Sequence, residues 1–301
     1  MNWIDRLREA NIGELYGNEP LSKHTSWKIG GAADGFIIPI NREKLIQTIQ
    51  ILTEEQVPWK VLGKGSNLLV LDQGFRGAIL HLGSKEFEQI EFDGNHVSVG
   101  ANASIIRLAN VAAKQGLSGI EFAGGIPGTV GGAVYMNAGA HGSDISKVLI
   151  ESDILLENGT IERWKKLDFE FAYRKSRLQI KKGIIVNARF QLQPGDRKEM
   201  IEQMIRFKER RTKTQPYHLP CAGSVFRNPE GDYAGRLIEE LGLKGYQIGG
   251  AQISTMHANF IVNVGQATAK NVLTLIRMVQ KKVYETYGIT LKTEVEVVGE
   301  E

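Results

Sequence analysis

A glycine-rich stretch at 123–142 restricts the fold of this chain more than any other feature. The segment, AGGIPGTVGGAVYMNAGAHG, holds seven of the chain's 34 glycines and has no charged residue from Ala123 to Ala140. Glycine lets backbone N–H groups approach a ligand with no Cβ between them, and successive N–H groups in turns form concave anion sites. The segment therefore predicts either a loop that binds a pyrophosphate or tight backbone packing between two segments.

The glycine spacing matches neither common nucleotide motif. Gly125, Gly128 and Gly131 give G-x-x-G-x-x-G, which is neither the dinucleotide fingerprint nor the P-loop. A second glycine turn, GKGSN at 63–67, lies between two strand-like segments, and the same pattern is typical of a plain hairpin loop. Two such turns in separate parts of the chain suggest one extended ligand, and a dinucleotide has the right size and chemistry.

Composition excludes several classes of protein. A chain of 301 residues with 42% hydrophobic and 24% charged residues is typical of a soluble protein of two or three domains. The net charge of +3 is too small to favour nucleic acid binding. The dense basic stretch RFKERRTKTQ, 206–215, is either the solvated end of a helix or a site for a phosphorylated ligand. The six histidines form no metal-ligand pair, so no metal is predicted.

Cysteine content and the N-terminus bear on location. Cys221 is the single cysteine, which excludes an intrachain disulfide and fits a reducing compartment. The sequence MNWIDRLREA has a charged helical pattern without the apolar region of a signal peptide, and no apolar run approaches the ~18 residues of a membrane span. We therefore expect a cytoplasmic protein, mature as encoded, with no nucleic acid or membrane partner.

The pattern of helices and strands predicts an α+β protein. Helices are expected after the capping residues Asn41, Ser104 and Asp196, near 232–242, and from Thr268 to Gly288. Hairpins are expected at Asp93-Gly94 and Asn158-Gly159, and the closing LKTEVEVV alternates as a strand, which places Lys292, Glu294 and Glu296 on one face. The predicted units are 1–82, 83–205 and 206–294, and the return of 295–301 to the first unit is left open.

Ser224, within CAGSVFRNP at 221–229, is the candidate for chemistry that the residues alone leave undecided. A glycine precedes it and a proline follows shortly after, as in a tight turn. The serine there is a nucleophile, a hydrogen-bonding turn residue or a proton donor. A nucleophile needs an adjacent general base, and the surrounding AGSVF is not a G-x-S-x-G elbow.

Six motifs in order carry a resemblance to a known family. HTSWKIGGAAD (24–34), GKGSNLLV, GGIPGTVGGAVYMNAGA, YRKS (173–176), GSVFRNP and LKTEVEVVG together closely resemble the UDP-N-acetylenolpyruvoylglucosamine reductase family. The resemblance runs from about residue 20 to the C-terminus, and the short segment between Asn228 and Gly250 is similar to the shorter form of that family.

The resemblance implies a fold and a reaction. The fold would be a two-part FAD-binding module of the vanillyl-alcohol-oxidase type with a C-terminal α+β substrate domain. The enzyme, expected as a monomer with oligomers left open, would hold FAD non-covalently and use NADPH to reduce UDP-N-acetylglucosamine enolpyruvate to UDP-N-acetylmuramate in peptidoglycan precursor synthesis. The implied cofactor contacts are Gly63, Lys64, Gly65, Ser66, Asn67, Gly125, Ile126, Pro127, Gly128, Thr129, Gly131 and Gly132.

The resemblance also implies roles for three residues. Arg174 and Glu294 would stabilise the enediolate that follows hydride addition to the terminal enolpyruvyl carbon, and Ser224 would donate the proton to the neighbouring carbon. A Glu294 carboxyl beside a substrate carboxylate would need to be protonated or tightly hydrogen-bonded. His257 is either a substrate contact or a structural histidine. The implied substrate contacts are Tyr173, Arg211, Lys213, Asn228 and Gln252, with Arg211 and Lys213 at the diphosphate.

Two other functions stay open at the level of sequence. One is an FAD-dependent oxidase of the same flavin-binding superfamily, although neither glycine turn offers an obvious histidine or cysteine for covalent attachment. The other is a nucleotide-sugar binding protein without catalysis, which would leave Arg174, Ser224 and Glu294 together unexplained. Electron acceptor choice distinguishes the oxidase, and turnover distinguishes the binder.

Overall fold

A computed structural model describes residues 2–300. The helices within that range are α1 (Trp3–Glu9), α2 (Arg42–Glu54), α3 (Ile105–Lys114), α4 (Val130–Tyr135), α5 (Arg197–Thr214), α6 (Ala234–Glu240) and α7 (Ala269–Tyr287). The strands are β1 (Gly13–Pro20), β2 (Ala32–Pro39), β3 (Trp59–Val61), β4 (Leu68–Val70), β5 (Phe75–Leu80), β6 (Ile90–Asp93), β7 (His96–Gly100), β8 (Leu117–Ser118), β9 (Gly139–Ala140), β10 (Ser143–Asp144), β11 (Leu149–Leu156), β12 (Ile161–Lys165), β13 (Gly183–Gln191), β14 (Gln193–Pro194), β15 (Gln247–Ile248), β16 (Ala251–Ile253), β17 (Ile261–Asn263) and β18 (Glu296–Val298).

Helix termini follow the predicted capping residues. The Asn41 side chain accepts from the N–H of Lys44 at 2.8 Å at the start of α2. Thr268 and Asn271 form a capping box on α7, and Gly288 ends that helix in the left-handed conformation at φ 69°. The predicted helices at Asn41 and 268–288 are therefore confirmed, because each cap satisfies orphan backbone groups locally. Helix α6 begins at Ala234, slightly later than expected.

The described chain divides into two compact units. Unit 1 comprises 1–17, 35–63 and 77–210. Its centre is the antiparallel sheet β12-β11-β13-β7-β6, which contains both predicted hairpins, with Asp93 opposite His96 in one of them. Helix α4 lies against β13, and one continuous apolar core of unit 1 residues includes Leu108 from α3 and Phe190 from β13.

Unit 2 comprises 18–34, 64–76 and 211–301. Helix α7 packs on the sheet β15-β16-β17, and its apolar face joins α6 and Trp27 in a second core. Strand β18 pairs in parallel with β4, with Val297 opposite Leu69. The three-unit division expected from the sequence stays a prediction.

The structure differs from the sequence-based predictions for two strand segments, those around GKGSN and within LKTEVEVV. The GKGSN turn is not a hairpin loop, because the strands on either side pair with other partners: β3 with β5, and β4 with β18. The closing LKTEVEVV is not one strand, since only Glu296–Val298 is extended in a ladder and Glu294 lies in a bend. The placement of Lys292, Glu294 and Glu296 on one strand face is therefore wrong. No helix within 2–300 is long and apolar enough to span a bilayer.

Candidate active site

The Ser224 turn is held by one buried asparagine. Gly223 precedes the serine at φ 76°, a conformation that favours glycine. Asn259 then fixes Val225 and Phe226, the two residues that follow Ser224. The Asn259 carbonyl accepts from the N–H of Val225 at 2.8 Å, and Asn259 Oδ1 accepts from the N–H of Phe226 at 2.9 Å. Its Nδ2 donates back to the Phe226 carbonyl at 2.8 Å. The position of Ser224 is thus set by buried hydrogen bonds rather than by the turn alone.

Asn259 is a residue whose importance the sequence does not reveal. It lies with His257 in the loop between β16 and β17. The side chain is 4% exposed, and a polar group this buried is expected to have partners. The signal in the sequence is a single asparagine among apolar neighbours, ANFIV, which does not identify the partner.

Glu294 lies beside the Ser224 turn. Its N–H donates to the carbonyl of Val225 at 2.7 Å, and the N–H of Arg227 donates to the carbonyl of Lys292 at 2.9 Å. Residues 292–294 therefore run next to 225–227 as a short irregular ladder, with Phe226 opposite Thr293. The structure thus brings together two predicted catalytic residues that are distant in sequence.

Asn67 of the GKGSN turn joins this group. Its Nδ2 donates to the Glu294 carbonyl at 3.1 Å, and its own carbonyl accepts from the N–H of Glu296 at 3.0 Å. Glu294 therefore sits where the chain leaves the 225–227 segment and joins β4, which explains the bend. The end of a predicted cofactor turn is tied directly to the backbone of a predicted catalytic residue.

The Ser224 hydroxyl is half-buried and has no activating partner. Among residues 2–300, no histidine, carboxylate or other group is hydrogen-bonded to it. Nucleophilic catalysis by serine requires a general base within hydrogen-bond reach. The described structure therefore gives Ser224 no partner of the kind that a nucleophilic serine needs.

Arg174 lies at the tip of a tight turn. Ala172 and Lys175 exchange two backbone hydrogen bonds, both 3.1 Å, so that Tyr173 and Arg174 occupy the central positions. Arg174 has φ 54°, a left-handed conformation that costs a non-glycine residue about 1–2 kcal/mol. Strain of this kind concentrates at functional sites, where neighbouring structure enforces it.

The glycine-rich stretch enforces the conformation of this turn. The Arg174 guanidinium donates from Nη2 to the carbonyl of Gly139 at 2.7 Å and lies 5.0 Å from the centre of the Tyr173 ring. Asn137 Nδ2 donates to the Ala172 carbonyl at 3.0 Å, and Ser176 Oγ donates to the carbonyl of Tyr135 at 2.6 Å. The YRKS turn is therefore held by hydrogen bonds to residues 135–139, within unit 1.

The two glycine turns meet at Gly63. A Cβ built on Gly63 would lie 2.7 Å from Thr129 Oγ1, so only glycine fits against that side chain. Thr129 Oγ1 caps α4 by accepting from the N–H of Gly132 at 3.1 Å, and the N–H of Gly131 donates to the carbonyl of Ala101 at 2.8 Å. The N–H groups of Gly131 and Gly132 are thus already used within the protein.

Other N–H groups of these turns stay open to a ligand. Within 2–300, the backbone N–H groups at 63–65 and at 128–129 make no hydrogen bond to another residue. Gly128 is at φ 159° and Gly65 at φ 57°, where a Cβ would collide with the His24 carbonyl. N–H donors without a protein partner in glycine-rich turns suit a pyrophosphate, so each turn offers groups that fit part of a dinucleotide cofactor. The remaining predicted cofactor residues, Ser66, Gly125, Ile126 and Pro127, lie in the same two turns.

Two of the predicted substrate residues, Asn228 and Gln252, hydrogen-bond to other residues of the protein. Asn228 Oδ1 accepts from the N–H of Ala234 at the start of α6, and Gln252 Nε2 donates to Gln247 at 3.1 Å across β15 and β16. Both side chains therefore have partners within the protein.

Arg211 and Lys213, the two residues predicted to bind the diphosphate, lie at the basic C-terminal end of α5 and point in different directions. Arg211 is half-buried, and burial lowers the pKa of its guanidinium, which also stacks 5.4 Å from the Tyr217 ring. Lys213 is exposed and lies two residues along the helix, about 200° round its axis. The two side chains therefore leave α5 on nearly opposite sides.

His257 is held by its own loop. Its Nδ1 accepts from the N–H of Asn259 at 3.2 Å, and burial lowers its pKa below the ordinary value, with nearby Lys244 lowering it further. These contacts are those of a structural histidine. Within 2–300 no group of three or more His, Cys, Asp or Glu side chains could hold a metal ion.

Comparison with protein families agrees with this geometry. The family described as FAD binding domain matches residues 33–165, and that described as UDP-N-acetylenolpyruvoylglucosamine reductase, C-terminal domain matches residues 215–298. A glucose oxidase variant of Phl p 4 is 16% identical and has a TM-score of 0.50 over 64% of this chain and 44% of its own, which speaks for the fold alone. Fold and site together define an FAD-dependent oxidoreductase.

Relatives along the whole chain are more specific. The UDP-N-acetylenolpyruvoylglucosamine reductase of Bacillus licheniformis is 53% identical over 99% of this chain and 98% of its own, and that of Bacillus subtilis strain 168 is 50% identical over 98% of each. The crystal structure of the Thermus caldophilus reductase is 37% identical, with a TM-score of 0.81 over 95% of this chain and 98% of its own. The chain belongs to the UDP-N-acetylenolpyruvoylglucosamine reductase family. The expected family, fold class and FAD cofactor are confirmed.

Proposed function

We propose that the chain reduces UDP-N-acetylglucosamine enolpyruvate to UDP-N-acetylmuramate for peptidoglycan synthesis, with NADPH as the hydride donor. The observation that carries the assignment of roles is the ladder between 225–227 and 292–294, which places Ser224 beside Glu294. Family membership supports the substrate, and the activity for which the relatives are named supports the reaction.

The cofactor site is formed by the glycine turns. The residues that would hold FAD are those of 63–67 and 125–129, through the backbone N–H donors at 63–65 and 128–129. Bound FAD supplies the means to store a hydride between its delivery by NADPH and its use on the enolpyruvyl group. Gly131 and Gly132 contribute close backbone approach rather than hydrogen bonds.

Ser224 acts as the proton donor in this proposal. Hydride addition to the terminal carbon leaves negative charge on the neighbouring carbon and its carboxylate. The Ser224 O–H bond then breaks as a C–H bond forms at that carbon, and the resulting alkoxide recovers its proton from solvent. A serine hydroxyl is a weak acid, but a carbanion is a strong base, and positioning by the Asn259 hydrogen bonds supplies much of the advantage.

Arg174 and Glu294 act on the substrate carboxylate. The Gly139 carbonyl holds one guanidinium nitrogen, which orients the planar fork of Arg174 for bidentate binding of a carboxylate. Charge that develops as the enediolate forms is thereby stabilised. Glu294 has its backbone fixed at both the N–H and the carbonyl, and beside the substrate carboxylate its carboxyl would be either protonated or tightly hydrogen-bonded.

The diphosphate contact is proposed for Arg211 in particular. An arginine keeps its charge even when burial lowers its pKa, and the half-buried guanidinium is a strong phosphate ligand. Lys213, on the other side of α5, would meet a more distant part of the nucleotide. Tyr173, Asn228 and Gln252 complete the proposed substrate contacts.

An anaerobic spectrum of the FAD-loaded protein tests the function. NADPH should bleach the flavin band near ~450 nm, and UDP-N-acetylglucosamine enolpyruvate should restore it with formation of UDP-N-acetylmuramate. Restoration by oxygen but not by that substrate would favour the oxidase. Tight binding of the sugar nucleotide without bleaching or recovery would favour the non-catalytic binder. Cell fractionation and light scattering test the proposed cytoplasmic location and monomeric state.

A further inference from the structure

Two aliphatic side chains project from unit 1 with almost no contact. Leu167 is 87% exposed and Ile180 is 78% exposed. They lie on or directly after two 3₁₀ turns, 166–169 and 177–179, which pack against each other. Isolated exposed aliphatic residues are ordinary, but two this exposed on adjoining turns form a feature that folding does not explain.

The segment that carries these two side chains is rich in cations. Residues 165–182 carry seven lysines and arginines and two acidic residues, whereas the whole chain has a net charge of only +3. Setting aside Arg174 and the partly paired Arg177, we define the basic aliphatic patch as Leu167, Ile180, Lys165, Lys166, Lys175, Lys181 and Lys182. The positive charge of the protein is thus concentrated in this segment as well as in the basic stretch at 206–215.

Internal ion pairs leave part of this charge unneutralised. Lys181 pairs with Glu162 at 3.6 Å and Lys182 with Glu157 at 2.8 Å. Lys165, Lys166 and Lys175 are exposed, and their ammonium groups form no ion pair within 2–300, although the backbone N–H of Lys165 donates to Asp168 at 2.7 Å. Three cations are therefore available to an external anionic surface.

The turns beneath the patch are firmly anchored. Phe169 is buried edge-on against Trp164, with ring centres 5.5 Å apart, and Leu178 is buried beside them. The Arg177 guanidinium and the Lys181 ammonium lie 5.5 and 5.1 Å from the centre of the Trp164 ring. The exposed Leu167 and Ile180 side chains are thus presented by turns that pack on buried aromatic and aliphatic side chains.

We propose that the basic aliphatic patch docks on an anionic phospholipid bilayer, with Leu167 and Ile180 entering the headgroup region. Unpaired lysines around a few aliphatic side chains are complementary to acidic headgroups above an apolar layer. A protein partner fits less well, because the centres of protein interfaces are depleted in lysine and enriched in aromatic residues. The proposal departs from the expectation of no membrane partner, and it concerns the surface of a bilayer rather than a span.

Vesicle binding by the FAD-loaded protein tests the proposal. The protein should sediment with vesicles containing phosphatidylglycerol, stay free with pure phosphatidylcholine, and be released by about 0.5 M salt, where charges are screened within ~4 Å. The variant Lys165→Gln/Lys166→Gln should weaken binding about fivefold per lysine. The variant Leu167→Ser/Ile180→Ser should weaken it about tenfold.

Matched variants outside the patch control for general effects of charge and exposure. Lys281→Gln/Lys282→Gln removes two lysines of α7, and Ile40→Ser removes an aliphatic side chain that is 53% exposed. Both should bind vesicles like the wild type, and circular dichroism should show all four variants folded. Equal binding to neutral vesicles, no binding at all, or patch variants that bind like the controls would each overturn the proposal. So would salt-resistant self-association that the patch variants abolish, because the patch would then be a contact between copies.

Discussion

The N–H of Glu294 donates a 2.7 Å hydrogen bond to the carbonyl of Val225, the residue that follows Ser224. The backbones of Ser224, the proposed proton donor, and Glu294, proposed to act on the substrate carboxylate, are thereby fixed relative to each other. This holds whichever rotamers their side chains adopt. Their separation should survive changes to either side chain. Variants at these positions therefore report on chemistry more than on structure.

Ser224→Ala should separate the two halves of the reaction. Flavin bleaching by NADPH should be unchanged, while recovery on addition of the enolpyruvyl substrate slows about 10²–10⁴-fold, the usual contribution of a general acid. Stopped-flow absorbance measures both steps. Ser224→Cys, which keeps an ionisable proton at that position, is the control and should recover part of the rate. Equal slowing of both half-reactions would remove Ser224 from the proton-donor role.

Replacement of Arg174 by glycine should affect activity strongly and stability only slightly. Arg174→Gly relieves the left-handed strain at φ 54°, which offsets the lost contact with Gly139, so the free energy of unfolding should change by less than about 1 kcal/mol. Recovery of the flavin by substrate should nevertheless fall about 10²–10³-fold.

Arg174→Lys provides the comparison for that result. It keeps the charge and the strain but loses the planar fork, and it should also lose most of the activity. Urea unfolding and single-turnover kinetics measure the two effects. An active Arg174→Gly protein would contradict the proposed role.

Asn259→Ala should damage both stability and the second half-reaction. The change leaves the N–H and carbonyl of buried Phe226 without partners, which should lower the free energy of unfolding by about 2–4 kcal/mol. Reoxidation by substrate should slow while NADPH oxidation does not, since the Ser224 turn loses its support. Asn263→Ala, which removes three side-chain hydrogen bonds of a different asparagine in unit 2, should destabilise without this selective effect. If both half-reactions of Asn259→Ala slowed equally, the effect would be general destabilisation.

Gly132→Ala tests the fit of the cofactor turn. A Cβ at Gly132 would be 3.4 Å from Thr129 Oγ1, so the apoprotein should fold normally and even gain about 0.5–1 kcal/mol of helix stability. If cofactor lies against this backbone, FAD affinity should fall about tenfold or more by fluorescence titration. Asn110→Ala on the exposed face of α3 should leave FAD affinity unchanged. Unaltered affinity in Gly132→Ala would place FAD away from this residue.

His257 should make stability depend on pH below neutrality. Burial lowers the pKa of the folded-state imidazole, so the unfolded chain binds more protons below its ordinary pKa of about 6.5. The stabilisation is therefore fully present above that pH and is lost progressively as the pH falls. Protonation at Nδ1 would also break the hydrogen bond from Asn259.

The urea midpoint measured at pH 7.5 and 5.5 checks this expectation. His257→Gln should lose less stability between the two than the wild type does. His96→Gln, at a hairpin of unit 1, is the control and should keep the wild-type dependence.

Local features of the fold follow from the sequence because their causes are local. Asn41 and Thr268 cap helices with side chains a few residues from the N–H groups they satisfy. Asp93-Gly94 fixes a hairpin for the same reason. The two glycine turns were likewise visible, and their contact at Gly63 and Thr129 agrees with one shared ligand.

The remaining features depend on contacts between distant residues. Alternation in LKTEVEVV is the same whichever segment pairs with it, so the bend at Glu294, where the partner changes, leaves no mark in the sequence. The left-handed Arg174 is set by hydrogen bonds to 135–139 and not by its own preference. Asn259 illustrates the same limit, because its partner Phe226 is identified only by the fold.

The pairing of β18 with β4 has a consequence for synthesis on the ribosome. Unit 2 draws on segments beginning at residue 18 and needs Glu296–Val298 to complete its ladder, whereas unit 1 ends at Arg210. Nascent unit 1 can therefore fold early, while residues 18–34 and 64–76 must wait in the emerging chain until residues 296–298 have been translated. Truncated or stalled nascent chains should expose β4 as an unpaired edge, a natural recognition point for chaperones and quality-control proteases.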